Sequence, residues 1–209
     1  MANPFIALSN KISCALDNKR DVKICGEKLG VFVPSPFDKE VGATGCQSAP
    51  YKGLDVVLKD LRLSSDDSFI DIGCGKGRVL AYLVGKGVPC KLTGIEINPE
   101  VATVADRWTK RYRNIEIVEG DAFGLDYNDY TVLFMYRPME SDVFKGFVNL
   151  LEMTLTHPVK FYYYADGQSG YYLNERPGWN LIDRQEIQHV GGRYIHLVPQ
   201  RYSVWTYEP

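Results

Sequence analysis

Apolar side chains recur along this chain with two periods. At Phe5, Leu8, Ile12 and Leu16 they return every three or four residues, which predicts a helix over 5–17. The plain reading is a helix laid against the domain; a lid, a partner-binding helix or a surface anchor are its functional alternatives. Pro34, Pro36, Gly42, Gly45 and Pro50 then make residues 30–50 irregular. Leu54, Val57, Leu58 and Leu61 give a second helical face over 51–63. From Ser68 onward, short strand-like runs alternate with helical ones. The strands are expected at 69–72, 92–97, 115–119, 131–136 and 159–164. The intervening helices bury Val79, Leu80 and Leu83, then Val101, Ala105 and Trp108, then Phe144, Phe147 and Leu151. Asn98 and Pro99 form a helix-start pair, a side-chain cap followed by a residue preset for the first turn.

Strands rich in Val, Ile and Tyr that alternate with helices imply a parallel sheet covered on both faces. The ending differs. Two strand-like runs, 180–190 and 193–207, flank Gly191-Gly192, a hairpin signal. The expected fold is therefore α/β and doubly wound. Its mostly parallel seven-stranded sheet has helices on both faces and ends in a C-terminal antiparallel hairpin. Residues 1–50 are expected to form an N-terminal helix and lid-like segment, and 51–209 the main domain.

Composition narrows the class without naming a function. A chain of 209 residues suits one sizeable domain. Its 24 Lys and Arg against 26 Asp and Glu leave a net charge of −2, which argues against duplex DNA or an anionic membrane as partner. Five cysteines, odd in number and never spaced C-x-x-C, suggest reduced thiols in a cytoplasmic setting, and with only three histidines no metal site is expected. No apolar run approaches the roughly 18 residues of a membrane span. The opening Met1-Ala2-Asn3-Pro4-Phe5 lacks the features of a signal peptide.

The candidate chemistry begins at Asp71-Ile72-Gly73-Cys74-Gly75-Lys76-Gly77, between the first strand and its helix. Glycines there let backbone approach a ligand without a Cβ in the way, at the strand end where such folds bind nucleotides. The spacing G-x-G-x-G is one residue shorter than the dinucleotide fingerprint. Asp71, two residues before the first glycine, would repel a phosphate and suits a cationic ligand. Asp71, Glu96 and Asp121 are separated by 25 and 25 residues, one βαβ step each, so all three should emerge along one sheet edge. Glu96, 19 residues past Gly77, is placed for two ribose hydroxyls. Asp121, followed by Ala122 and Phe123, could take an adenine amine, with Phe123 or Ile97 against the ring. Loss of Glu96 is expected to weaken the ligand and leave the fold intact.

The strings FIDIGCGKGRVL, GIEINPE, VEGDAF and VLFMYRPM resemble motifs I to IV of the class I, seven-stranded S-adenosylmethionine-dependent methyltransferases, over about residues 50–209. The resemblance implies that Asp71, Gly73 and Gly75 wall the methionine moiety, that Glu96 binds the ribose, and that Asp121 receives the adenine amine. It further implies that Tyr51 covers the cofactor. The substrate-facing motif would be Tyr136-Arg137-Pro138-Met139, with Tyr136 and Arg137 as candidate catalytic residues. Arg137 stands where amino-directed nucleic-acid members carry Asn or Asp, which counts against nucleobase methylation. Its planar fork suits an anionic group on the acceptor; a salt bridge to Glu140, Asp142 or Asp166 is the alternative.

Tyr162, Tyr163 and Tyr164, with Tyr171 and Tyr172, could line an aromatic acceptor pocket or simply pack in a buried strand. His157, His189 and His196 lie away from the expected cofactor edge and receive no role, and no general base stands out. The implied function is methyl transfer to a small molecule or a protein side chain. The alternatives are a non-catalytic nucleotide-binding module and an NAD-dependent oxidoreductase. Nucleic acid is not the expected acceptor.

Overall fold

The computed structural model describes residues 3–209, so Met1 and Ala2 of the expected N-terminal segment lie outside the described residues. Helix α1 (Pro4–Cys25) starts where the Asn3 side chain accepts the Phe5 amide. It stops where Gly26, at φ 84°, returns its own amide to Val22. It is longer than the apolar stripe predicted and is turned the other way. Its buried residues are Ser13, Asp17, Asp21 and Cys25, whereas Phe5 (67% exposed), Leu8 (60%), Ile12 (48%) and Leu16 (38%) face outward. The polar face goes inward because it finds partners there. Asp21 accepts Nε (3.0 Å) and Nη2 (2.6 Å) of the buried Arg78 and also the Leu29 amide (3.0 Å), and the Ser13 hydroxyl donates to the Tyr194 carbonyl (3.0 Å).

The irregular stretch to residue 50 is tied down at several points. Val33 and Cys46 exchange backbone hydrogen bonds, and a short helix α2 (Asp38–Val41) lies between them in the chain. The Thr44 amide donates to the Pro138 carbonyl (2.8 Å), and the Glu140 amide to that of Gly42 (2.9 Å). Helix α3 (Tyr51–Val57) is shorter than its predicted 51–63.

Next come β1 (Ser68–Ile72), α4 (Arg78–Gly85), β2 (Lys91–Glu96), α5 (Pro99–Thr109), β3 (Ile115–Glu119), β4 (Val132–Tyr136), α6 (Ser141–Thr154) and β5 (Val159–Tyr164). The chain closes with β6 (Trp179–Ile187), a small ladder of β7 (His189–Val190) and β8 (Arg193–Tyr194), and β9 (Gln200–Tyr207). The main sheet runs β3-β2-β1-β4-β5-β9-β6. Its first five strands pair in parallel, and β9 runs antiparallel to both β5 and β6.

The expected hairpin is present in altered form. Gly191 and Gly192, both at positive φ, turn only the β7–β8 ladder, which stands apart from the long β6–β9 pair. Alternate residues of each central strand feed opposite cores: Phe69, Phe134 and Tyr164 with α3 and α4, Ile70, Leu133 and Tyr163 with α6. Because β1 connects to β2 on one side and borders β4 on the other, the strand order reverses there, and a crevice opens at the carboxyl ends. Among the described residues no helix is long and apolar enough to cross a membrane.

Candidate active site

The crevice is built on the glycine turn. Gly73, Gly75 and Gly77 have φ of 68°, 57° and 85°, a region that side chains rarely adopt. A Cβ on Gly73 would collide with Pro138, and one on Gly75 would lie 2.7 Å from the Cys46 sulfur, so neither position has room for one. Glu96 holds the turn from the next strand. Its Oε2 accepts the Gly75 amide and its Oε1 the Asn98 amide, each at 2.9 Å. Burial raises the Glu96 pKa, and the amides of Asn98, Gly75 and Ile97 oppose that shift. Asp71 is buried beside it, and its Oδ2 has no hydrogen-bond partner. Burial, and then the charge of Glu96, push the Asp71 carboxyl well above its usual range. Asp121 caps its own turn by accepting the Phe123 amide (3.0 Å), and Ile97, Asp121, Ala122 and Phe123 line the far end.

A second cavity of ≈ 700 Å³ adjoins the first, within the usual size of a small-molecule site. The two share Ala43–Gly45, Gln47, Ser48, Arg78 and Tyr136 as a common wall. Arg137 lines the second cavity and, among the described residues, is one of three non-glycine residues at positive φ (40°). Thr44 holds that turn by donating its hydroxyl to the Arg137 carbonyl (2.7 Å). Among the described residues the Arg137 side chain has no ion pair. Asp142 is taken by Lys145, Asp166 by Arg201, and Glu140 forms no bridge. The salt-bridge alternative for Arg137 therefore does not hold.

The model of a methyltransferase domain matches residues 69–150. The match runs from β1 into α6 and so spans the glycine turn and the reversed strand order. Its fold is that of the class I methyltransferases. S-adenosylmethionine is the cofactor of that family. A protein-lysine N-methyltransferase of Saccharolobus islandicus (strain REY15A) is 31% identical over 96 residues, spanning 42% of this chain and 56% of that relative. Among solved structures, an RNA methyltransferase from Salinibacter ruber in complex with S-adenosyl-L-homocysteine superposes with a TM-score of 0.56 at 18% identity, covering 77% of this chain and 92% of the other. MtNAS in complex with MTA and tNA gives 0.54 at 13% identity over 98% and 74%, so its likeness extends to the N-terminal segment. These two show likeness of fold.

Of the residues that the methyltransferase motifs singled out, Asp71, Gly73, Gly75, Glu96, Ile97, Asp121, Ala122, Phe123 and Tyr136 line one crevice, and Arg137 joins Tyr136 in the adjoining cavity. Tyr51 does not cover the crevice. It is buried, with the Arg20 guanidinium of α1 4.2 Å from its ring centre, and it lines neither cavity. The β5 tyrosines are core residues. Tyr163 bonds Ser169, Tyr164 bonds His196 Nε2 at 2.6 Å, and none of the three lines either cavity.

His196, expected to lie clear of the site, instead lines the second cavity, since the ladder after β6 folds the chain back over it. Burial lowers its pKa to about 4, so the imidazole is neutral near pH 7. Arg78, Cys46 and Asp17 were also missed. The series Ser13, Asp17, Asp21, Cys25 repeats every four residues and would have marked a buried polar face. Glu96, moreover, is a fastener of the loop as well as a ligand candidate, so its loss reaches the fold.

Proposed function

We propose that this protein transfers the methyl group of S-adenosylmethionine to an acceptor seated in the ≈ 700 Å³ cavity, a small molecule or a protein side chain. The observation that carries this reading is the shared wall. The glycine-turn crevice, with Asp71, Glu96 and Asp121 in its lining, and a separate, larger cavity meet at Tyr136, at the end of β4. The residues of the crevice suit the cofactor. The orphaned carboxylate of Asp71 offers an acceptor to a cationic moiety, and the bare turn at Gly73 and Gly75 leaves room for it.

In this assignment Asp71, Gly73 and Gly75 wall the methionine end, Glu96 receives the ribose hydroxyls, and Ile97, Asp121, Ala122 and Phe123 hold the adenine. When bound, the cofactor would supply an electrophilic methyl carbon on sulfur to a lone pair of the acceptor. The chain's own part is positioning. Residues 43–48 cover the crevice, and the unpaired Arg137 grips an anionic group on the acceptor. The likeness to the lysine methyltransferase supports a protein side chain as one form of the acceptor.

Calorimetric titration tests the reading. S-adenosylhomocysteine is expected to bind and NAD not; binding of NAD alone would sink it. Arg137→Ala is expected to leave that affinity within about twofold while weakening acceptors; an unchanged acceptor KM would remove Arg137 from its role.

A further inference from the structure

Helix α1 turns Ser13, Asp17 and Asp21 inward and leaves Phe5, Leu8, Ile12 and Leu16 to solvent, the reverse of ordinary amphipathic packing. Asp21 has a structural reason to point inward, since it is fully engaged by Arg78 and Leu29. Asp17, one turn earlier, does not have the same excuse. It is only 9% exposed, yet it lines the second cavity. Its Oδ2 accepts the Tyr51 amide at 3.3 Å and stands 3.9 Å from Nη1 of Arg78. Among the described residues its Oδ1 has no hydrogen-bond partner and stays accessible, in a residue that lines the cavity. Arg137, which forms no ion pair among the described residues, lines the same cavity.

We infer that Asp17 is the receptor for an amine on the acceptor, so that the acceptor is an amino compound whose anionic group sits on Arg137. The inference rests on the methyltransferase reading of the two cavities and names the substrate class within it. A largely buried carboxylate with one oxygen free of protein partners can take an ammonium or amine donor through a charge-assisted hydrogen bond, the strong kind. The burial that raises the Asp17 pKa to about 6, against the opposing charge of Arg78, is the same unmet demand seen from the proton's side. The nearby carboxylates Asp38 and Glu140 line the cavity as well and are exposed, so they favour a cationic group at its mouth and do not replace Asp17 inside.

The test uses the full chain saturated with S-adenosylhomocysteine and three families of probe, followed by calorimetry. The ω-amino acids β-alanine, γ-aminobutyrate and ε-aminocaproate carry both groups at increasing separation, caproate lacks the amine, and hexylamine lacks the anion. At least one ω-amino acid is expected to bind about tenfold or more tighter than caproate. Asp17→Asn, which keeps the side chain's shape, should erase that preference, and Arg137→Ala should erase the preference over hexylamine.

Three results would overturn the inference: no ω-amino acid binding, equal binding of caproate, or a preference that survives Asp17→Asn. If the Asn variant does not fold, the wild-type comparison of ε-aminocaproate with caproate still decides it. Failure of the cofactor reading is seen separately, as loss of S-adenosylhomocysteine binding before any probe is added.

Discussion

Replacing Glu96 with alanine removes two things at once, and the structure separates them. The first is internal. Its two carboxylate oxygens accept the amides of Gly75 and Asn98 at 2.9 Å each, and the residue is buried. Hydrogen bonds to a charged group contribute about 1.5–3 kcal/mol each. The crevice is open enough for water to reach the freed amides, which offsets part of the loss, so about 2–4 kcal/mol of stability should disappear. The second is external. On the proposed role of Glu96 at two ribose hydroxyls, its loss should cost about 1–3 kcal/mol of cofactor binding, roughly fivefold to 150-fold.

Urea unfolding measures the first effect and titration with S-adenosylhomocysteine the second. A stability change under about 0.5 kcal/mol would refute the fastening role of Glu96. Wild-type affinity in a destabilised variant would show that the ribose is bound elsewhere.

Three further perturbations follow from the structure. Gly75→Ala forces a side chain into φ 57° and towards the Cys46 sulfur, at an expected cost of about 1–2 kcal/mol; Cys46→Ala should recover part of it in the double variant, and strict additivity in unfolding experiments would exclude the clash. Asp17 and His196 make opposite contributions to the pH dependence of stability. The folded-state pKa of Asp17 is raised from 3.8 to about 6, so its stabilisation is present at low pH and lost as pH rises to 6. That of His196 is lowered from 6.5 to about 4, so stability is regained as pH rises from 4 to 6.5. At 1.36 kcal/mol per pKa unit each is worth about 3 kcal/mol, and in the wild type they nearly cancel. Against wild type, Asp17→Asn should therefore gain relative stability as pH rises from 4 to 6.5 and His196→Asn should lose it; difference profiles that stay flat, or run the other way, would contradict these assignments.

Periodicity and glycine spacing were enough to place five strands in order, the turn between β1 and α4, and the acidic residues at successive strand ends. These are local properties. A strand's alternation or a glycine's freedom is written in a few adjacent residues, and the 25-residue step between Asp71, Glu96 and Asp121 follows from the length of one βαβ unit.

What the tertiary structure decided were choices between faces and partners. The stripe on α1 correctly signalled a helix, but its orientation depended on Arg78, a residue 57 positions from Asp21 that offers a buried ion pair to whichever face carries the acids. The tyrosines of β5 looked alike in sequence as pocket or core, and the neighbours on either side of the sheet made them core. Arg137 could be paired or free until Asp142 and Asp166 were seen to have other partners. Asp17 and His196, far from every motif and from each other along the chain, meet at one cavity only because α1 and the segment after β8 are folded over the same sheet edge. Desolvation and charge pairing act through space, so no local pattern could announce them.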